Sequence, residues 1–300
     1  MTALPIPSAA EEVAPLIEAA TLQALLQASE TVRVVDCSFE LTDPAAGRRQ
    51  YNEGHIPGAV YAHLDEDLSA RPGAPRASGG RHPLPTREAF LQRLRVWGVR
   101  QGDTLVAYDR QGGMIAGRLW WLARWCGLRD VRLLDGGWPA WRAVGGAVAT
   151  GWVEPACDVR FGDVMLGPPQ VALVTVAEVA ARLGQPGLVL VDARAAARFR
   201  GETEPLDPVA GHIPGALNRP FTDDFGPDGC YKPPALLRAE WQRLLAGRDP
   251  RQVIVYCGSG VSAVPHVVAL QLAGLPAPAL MAGGWSEWCT TPGLPCARSV

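Results

Sequence analysis

Apolar residues in this chain gather in runs of four or five, each closed by an acid or a cysteine. Val32-Arg33-Val34-Val35-Asp36, Leu105-Val106-Ala107-Tyr108-Asp109, Leu188-Val189-Leu190-Val191-Asp192 and Val253-Ile254-Val255-Tyr256-Cys257 read as strands. Runs this short and this rich in β-branched residues fit a parallel sheet covered on both faces. Between them, helices are predicted over residues 21–29, 87–97, 113–125, 175–183, 234–245 and 261–273. Strand–helix alternation predicts an α/β fold, each sheet mostly parallel with helices on both faces. Such sheets bind ligands beyond the carboxyl ends of their strands, where Asp109 and Cys257 stand.

The pattern occurs twice. Gly54-His55-Ile56-Pro57-Gly58-Ala59 returns unchanged as Gly211-His212-Ile213-Pro214-Gly215-Ala216, 157 residues later. The strand ending at Asp109 is answered by the one ending at Cys257, 148 residues on. Leu134-Asp135-Gly136-Gly137-Trp138 is answered by Met281-Ala282-Gly283-Gly284-Trp285, 147 residues on. Landmarks in one order at nearly one spacing mean a duplicated domain, with a period too long for a solenoid. The division is 1–145 for the first copy, 146–170 for a Gly- and Pro-rich linker, and 171–300 for the second. His55, His212, Asp36 and Asp192 recur in both copies and read as structural. The copies differ where it matters: Asp109 occupies the place of Cys257, so only the second copy can do thiol chemistry there.

Composition narrows the classes. The chain has 300 residues, 48% hydrophobic and 19% charged, with a formal net charge of −2. That is a globular balance, with no electrostatic case for nucleic acid or an anionic membrane surface. Seven scattered cysteines, at 37, 126, 157, 230, 257, 289 and 296, form no C-x-x-C pair. This argues against a disulfide framework or a zinc site and for a reducing, cytoplasmic setting. Residues 1–6 lack a basic side chain, so no leader is expected, and no apolar run is long enough to span a bilayer.

The candidate chemistry sits in Cys257-Gly258-Ser259-Gly260-Val261-Ser262-Ala263. A strand, a glycine-containing turn and a helix start can aim successive N–H groups at one point, an anion nest. A free thiol has a pKa of about 8.5, and lowering it by two units takes about 2.7 kcal/mol. One helix terminus supplies about 0.3–1 kcal/mol, so the N–H ring must supply the rest. Gly258 and Gly260 are expected to free the backbone for this. Cysteine phosphatases of the low-molecular-weight type use a similar cradle but close it with an arginine; that place holds Ala263.

These residues resemble a two-domain sulfurtransferase of the rhodanese superfamily, over nearly the whole chain. The Cys257–Ala263 loop is similar to the CGSGVTA loop of the 3-mercaptopyruvate enzymes, with Ser262 in place of threonine. Both GHIPGA boxes and Gly283-Gly284-Trp285-Ser286-Glu287-Trp288 match as well. The resemblance implies two tandem rhodanese-like domains and transfer of a sulfane sulfur through a Cys257 persulfide, with no cofactor and no metal. The implied donor is 3-mercaptopyruvate and the acceptor a thiol, such as thioredoxin, or cyanide. Thiosulfate is the alternative donor, although the neutral Gly258 and Ser259 stand where thiosulfate-preferring members carry basic residues. A non-catalytic persulfide carrier is a third reading. Among site residues the resemblance implies Arg198 as a carboxylate-binding arginine, and His82 with Ser259 as a proton relay. Gly258, Gly260, Val261 and Ser262 frame the donor. The family's second arginine is missing from Glu204-Pro205-Leu206-Asp207-Pro208, which leaves Arg219 as its expected substitute. The relay's aspartate position falls on His63, with Asp65 two residues on.

Overall fold

The computed structural model describes residues 13–29, 31–152 and 161–299. Residues 1–6, Cys157 and part of the expected linker lie outside that range. The first repeat runs β1 (Leu16–Ile17), α1 (Ala19–Ala28), β2 (Val32–Asp36), α2 (Ala46–Glu53), β3 (Val60–Tyr61), α3 (Arg87–Val96), β4 (Thr104–Tyr108), α4 (Met114–Trp125), β5 (Val131–Leu134) and α5 (Gly137–Ala143). The second runs β6 (Leu173–Val174), α6 (Val176–Arg182), β7 (Val189–Asp192), α7 (Ala196–Arg200), β8 (Leu217–Asn218), α8 (Pro234–Leu245), β9 (Val253–Tyr256), α9 (Val264–Leu272), β10 (Ala279–Met281) and α10 (Gly284–Trp288), with 3₁₀ turns at Phe221–Asp224 and Pro250–Gln252.

Each repeat forms a five-stranded sheet of identical topology, β1-β5-β4-β2-β3 and β6-β10-β9-β7-β8, and every pairing is parallel. Alternate residues of a strand face opposite sides, which sorts the core into layers. Val35 packs with α3 and α4 on one face, whereas Val34 packs with α1 and Trp141 of α5 on the other. In the second repeat, Val255 faces α8 and α9, and Ile254 faces α6 and the α10 tryptophans. The α4 and α9 faces fuse, so one apolar cluster runs from Val35 through Trp121 to Val264 and Val255. Gly117 makes this approach close: a Cβ there would lie 3.4 Å from Val264.

Local signals set several boundaries. Thr175 caps α6 in a reciprocal capping box with Glu178. Helix α8 starts at Pro234, where a missing N–H costs nothing. Helix α9 starts at Val264, three residues later than expected, because residues 258–263 stay in the loop. The two recurrent histidines brace the fold alike. His55 bonds the Tyr51 carbonyl and stacks on that ring; His212 does the same with Phe199. No helix among the described residues is long and apolar enough to cross a membrane.

A buried guanidinium ties the halves together. Arg118 of α4, fully buried, donates to the carbonyls of Gly260 (3.0 Å), His82 (2.9 Å) and Leu68 (3.3 Å). Arg118→Met would leave three buried carbonyls without donors, at about 1–3 kcal/mol each. The expected outcome is a thermal midpoint lower by at least about 5 °C, read by calorimetry; an unchanged midpoint would show that the bridge adds nothing.

Candidate active site

The loop after β4 holds a carboxylate on backbone N–H groups. Asp109 is fully buried, and its carboxylate accepts from the N–H groups of Gln111 (2.9 Å), Gly113 (2.8 Å), Ile115 (2.8 Å) and Ala116 (2.9 Å). Burial pushes its pKa up and the four amides oppose that rise. The first repeat thus fills its own anion nest. At the 148-residue offset, the corresponding N–H groups are those of Ser259, Val261, Ala263 and Val264. The Val264 N–H turns back to Val261, but the N–H groups of residues 258–263 have no protein acceptor among the described residues. In the second repeat Cys257 stands at the strand end that Asp109 holds in the first, and the Trp285 N–H bonds its carbonyl as the Trp138 N–H bonds that of Asp109.

The two loop glycines serve different ends. Gly260 has φ +72°, and a Cβ there would collide with the Ala282 carbonyl oxygen. Gly258 needs no such conformation: it provides space, since a Cβ would lie 3.0 Å from Arg81 Nη2 and 3.6 Å from Arg198 Nη1. The expectation that both relax the backbone holds for Gly260 alone.

Cys257 is 1% exposed and reached through a cavity of about 50 Å³ between the repeats. One water needs about 10–15 Å³ on this measure, so the space suits a small molecule. Its walls include Arg198, Gly258, Ser259, Val261 and Ser262 from the second repeat, and Leu64, Arg81, His82 and Met114 from the first.

Ser259 and His82 meet across the repeat boundary, with Oγ 2.7 Å from Nδ1. His82 Nε2 faces Asp65 Oδ1 at 3.4 Å. With the proton on Nε2, Nδ1 accepts from the serine hydroxyl. Burial, with Arg118 and Arg81 nearby, lowers the His82 pKa to about 3. Burial raises the pKa of Asp65. Asp65, and not His63, is the acid beside His82; His63 is a brace: its Nε2 bonds the Pro44 carbonyl at 3.1 Å and its Nδ1 accepts from the Asp65 N–H.

The arginines depart from expectation. Arg198 lines the cavity, but Arg219 does not: its guanidinium is committed to Asp224 (3.0 Å), Glu240 (2.7 Å) and the Asp223 carbonyl (2.7 Å). A buried arginine stays near the carboxylates that satisfy it, and Asp224 and Glu240 gave no sequence signal of that pairing. The residue overlooked is Arg81, next to His82 in a stretch already singled out. Its N–H bonds Ser286 Oγ at 3.0 Å, which fixes the loop from the first repeat over the second.

The rhodanese-like domain profile matches residues 18–144 and again residues 175–291. The chain belongs to the rhodanese family. Among relatives, a probable 3-mercaptopyruvate sulfurtransferase of Pseudomonas aeruginosa is 48% identical over 95% of this chain and 98% of its own. A putative thiosulfate sulfurtransferase, SseB, of Mycobacterium tuberculosis is 40% identical over 95% of this chain and 97% of its own. The crystal structure of SseA from Escherichia coli, a study of the rhodanese fold of 3-mercaptopyruvate sulfotransferases, superposes with a TM-score of 0.75. It shares 30% identity over 92% of this chain and all of that one. Two rhodanese domains, one with a cysteine at its nest and one with aspartate, make up the molecule.

The depressed His82 pKa sets a pH window. The folded state favours the neutral imidazole, so this contribution is complete above the unfolded value of about 6.5 and is lost as pH falls towards about 3. Stability over that window should fall less steeply in His82→Asn than in the wild type. The difference is at most about 1.4 kcal/mol per pH unit, read from urea unfolding at each pH. Parallel curves, or an NMR titration placing His82 near 6.5, would contradict the assignment.

Proposed function

We propose that this protein is a sulfurtransferase that moves a sulfur atom from 3-mercaptopyruvate to a thiol or cyanide through a persulfide on Cys257. The observation that carries the reading is the paired loop: the first repeat holds a carboxylate on four N–H groups, and the second sets Cys257 at the matching strand end, before a loop whose N–H groups at residues 258–263 have no protein acceptor among the described residues. The names of the Pseudomonas aeruginosa and Escherichia coli proteins support it. Residues 171–300 then carry the chemistry, residues 1–145 are a catalytically silent partner that lends wall residues, and residues 146–170 join them.

In the first step the Cys257 thiolate attacks the donor sulfur. An S–S bond forms, the C–S bond breaks, and its electron pair leaves on the three-carbon fragment as the enolate of pyruvate. The donor's thiol proton ends on that carbon, giving pyruvate and an anionic persulfide. Ser259 is placed to pass the proton, and neutral His82 holds the hydroxyl as its acceptor. The N–H groups of the loop hold the charge on the outer sulfur, by dipoles that need no reorganisation. In the second step an acceptor thiolate takes the outer sulfur, and Cys257 leaves as thiolate; cyanide leaves as thiocyanate. Splitting the transfer lets two substrates use one nucleophile in turn.

The acceptor is a thiol, such as thioredoxin, or cyanide, in a reducing cytoplasmic setting suited to the free thiols at Cys37, Cys126, Cys230, Cys257, Cys289 and Cys296. Thiosulfate is the second donor reading, supported by the name of the Mycobacterium tuberculosis relative; the neutral Gly258 and Ser259 beside Cys257 weigh against it.

Two measurements test the reading. Cys257→Ser should abolish turnover, and its intact mass should gain no sulfur atom after exposure to 3-mercaptopyruvate; a gain would overturn the assignment. Ser259→Ala and His82→Asn should each lower kcat by about 10²-fold, and the double variant should fall little further because the two act as one unit. Additive losses would sink the relay.

A further inference from the structure

Two guanidiniums, one from each domain, stand over the loop that carries Cys257. Arg198 comes from the last turn of α7, and Arg81 from the first-domain loop that docks on Ser286. Like charges this close need an anion between them, and Asp207 is that anion. Its Oδ1 accepts from Arg81 Nη1 at 2.5 Å, and its Oδ2 accepts from Arg198 Nη2 at 3.1 Å. Glu204 holds the other edge of Arg198, at 2.6 Å from Nη2 and 3.3 Å from Nε. Both carboxylates are nearly buried, with side chains 3–4% exposed.

The atoms left over point to a ligand. Arg81 Nη2 and Arg198 Nη1 make no hydrogen bond among the described residues, and these two lie nearest the position of a Cβ on Gly258. Arg81 Nε is buried and likewise without a partner. The unused Nη atoms therefore lie beside Gly258, next to Cys257, while Arg81 Nη1 and Arg198 Nη2 are held by Asp207 and Glu204.

We propose that Arg81, Arg198 and Asp207 form a carboxylate fork shared between the two domains. Arg81 takes the part for which Arg219 was expected, and Asp207 is a positioning residue that clamps the two guanidiniums at a fixed separation. The proposal rests on the sulfur-transfer reading above and adds what selects the donor. Two arginines against Glu204 and Asp207 leave the site without net charge. Such a site grips a single carboxylate by directed hydrogen bonds and gives a compact dianion such as thiosulfate no excess positive field. The carboxylate of an α-keto acid would then sit over Gly258 with its thiol-bearing carbon towards Cys257.

The test uses two donors that differ in one group: 3-mercaptopyruvate, and 1-mercaptopropan-2-one, which keeps the thiol and ketone and lacks the carboxylate. Persulfide formation on Cys257 is followed by intact mass and initial rate in the wild type, Arg81→Met and Arg81→Lys. Arg81→Met should lose at least about 10-fold more kcat/KM with mercaptopyruvate than with the neutral donor, the value of one charge-assisted hydrogen bond. Arg81→Lys should recover part of that loss, and it keeps the test open if the methionine variant misfolds. Asp207→Asn, which adds one net positive charge and frees the clamp, should raise the thiosulfate-to-mercaptopyruvate ratio of kcat/KM several-fold. Equal losses with both donors in the Arg81 variants, or an unchanged ratio in Asp207→Asn, would overturn the fork and leave the sulfur-transfer reading intact. Failure of the wild type to form a persulfide from either thiol would instead remove the reading beneath it.

Discussion

An anion held by backbone N–H groups at the end of a central parallel strand is the constraint on which the rest of the molecule depends. Such a cradle requires a loop whose amides turn inward, so the loop cannot satisfy them elsewhere. In the first domain Asp109 satisfies four of them and becomes part of the fold. In the second, Cys257 stands at the matching strand end, and the N–H groups of residues 258–263 have no protein acceptor among the described residues. Gly260 holds this loop open by a positive φ, against the Ala282 carbonyl.

A loop with free amides is costly unless its surroundings fix it, and the first domain supplies that fixing. Arg118 reaches from α4 to the Gly260 carbonyl and, with the same guanidinium, to the carbonyl of His82. One buried cation thereby sets the loop that carries the thiol and the strand of chain that carries the imidazole. Its pKa is lowered to about 10 by burial. The α4–α9 contact beneath it belongs to one continuous apolar cluster, so the domain boundary is a packed core and not a cleft. The first repeat closes the cavity and brings His82 and Arg81 to its walls beside Cys257, with Asp65 behind His82.

Much of this was legible in the sequence, because periodicity, punctuation and repetition are local properties. The strands before Asp109 and Cys257, the α6 capping box and the two GHIPGA boxes are each set within a few residues. The difference between the copies at one strand end, Asp109 against Cys257, is likewise visible in the sequence alone. The start of α9 was misplaced by three residues, because amphipathic spacing cannot reveal that residues 258–263 stay in the loop.

What the sequence determined by itself was therefore the α/β fold, the duplication, the thiol and its loop. Only the tertiary structure decided which charged side chains share the cavity. Arg219 and Arg81 look alike in a sequence, yet Arg219 is spent on Asp224 and Glu240 while Arg81 overlooks Gly258. The reason is physical: where a long cationic side chain rests depends on which carboxylates the fold brings within a few ångströms, and Arg81 and Asp207 lie 126 residues apart along the chain.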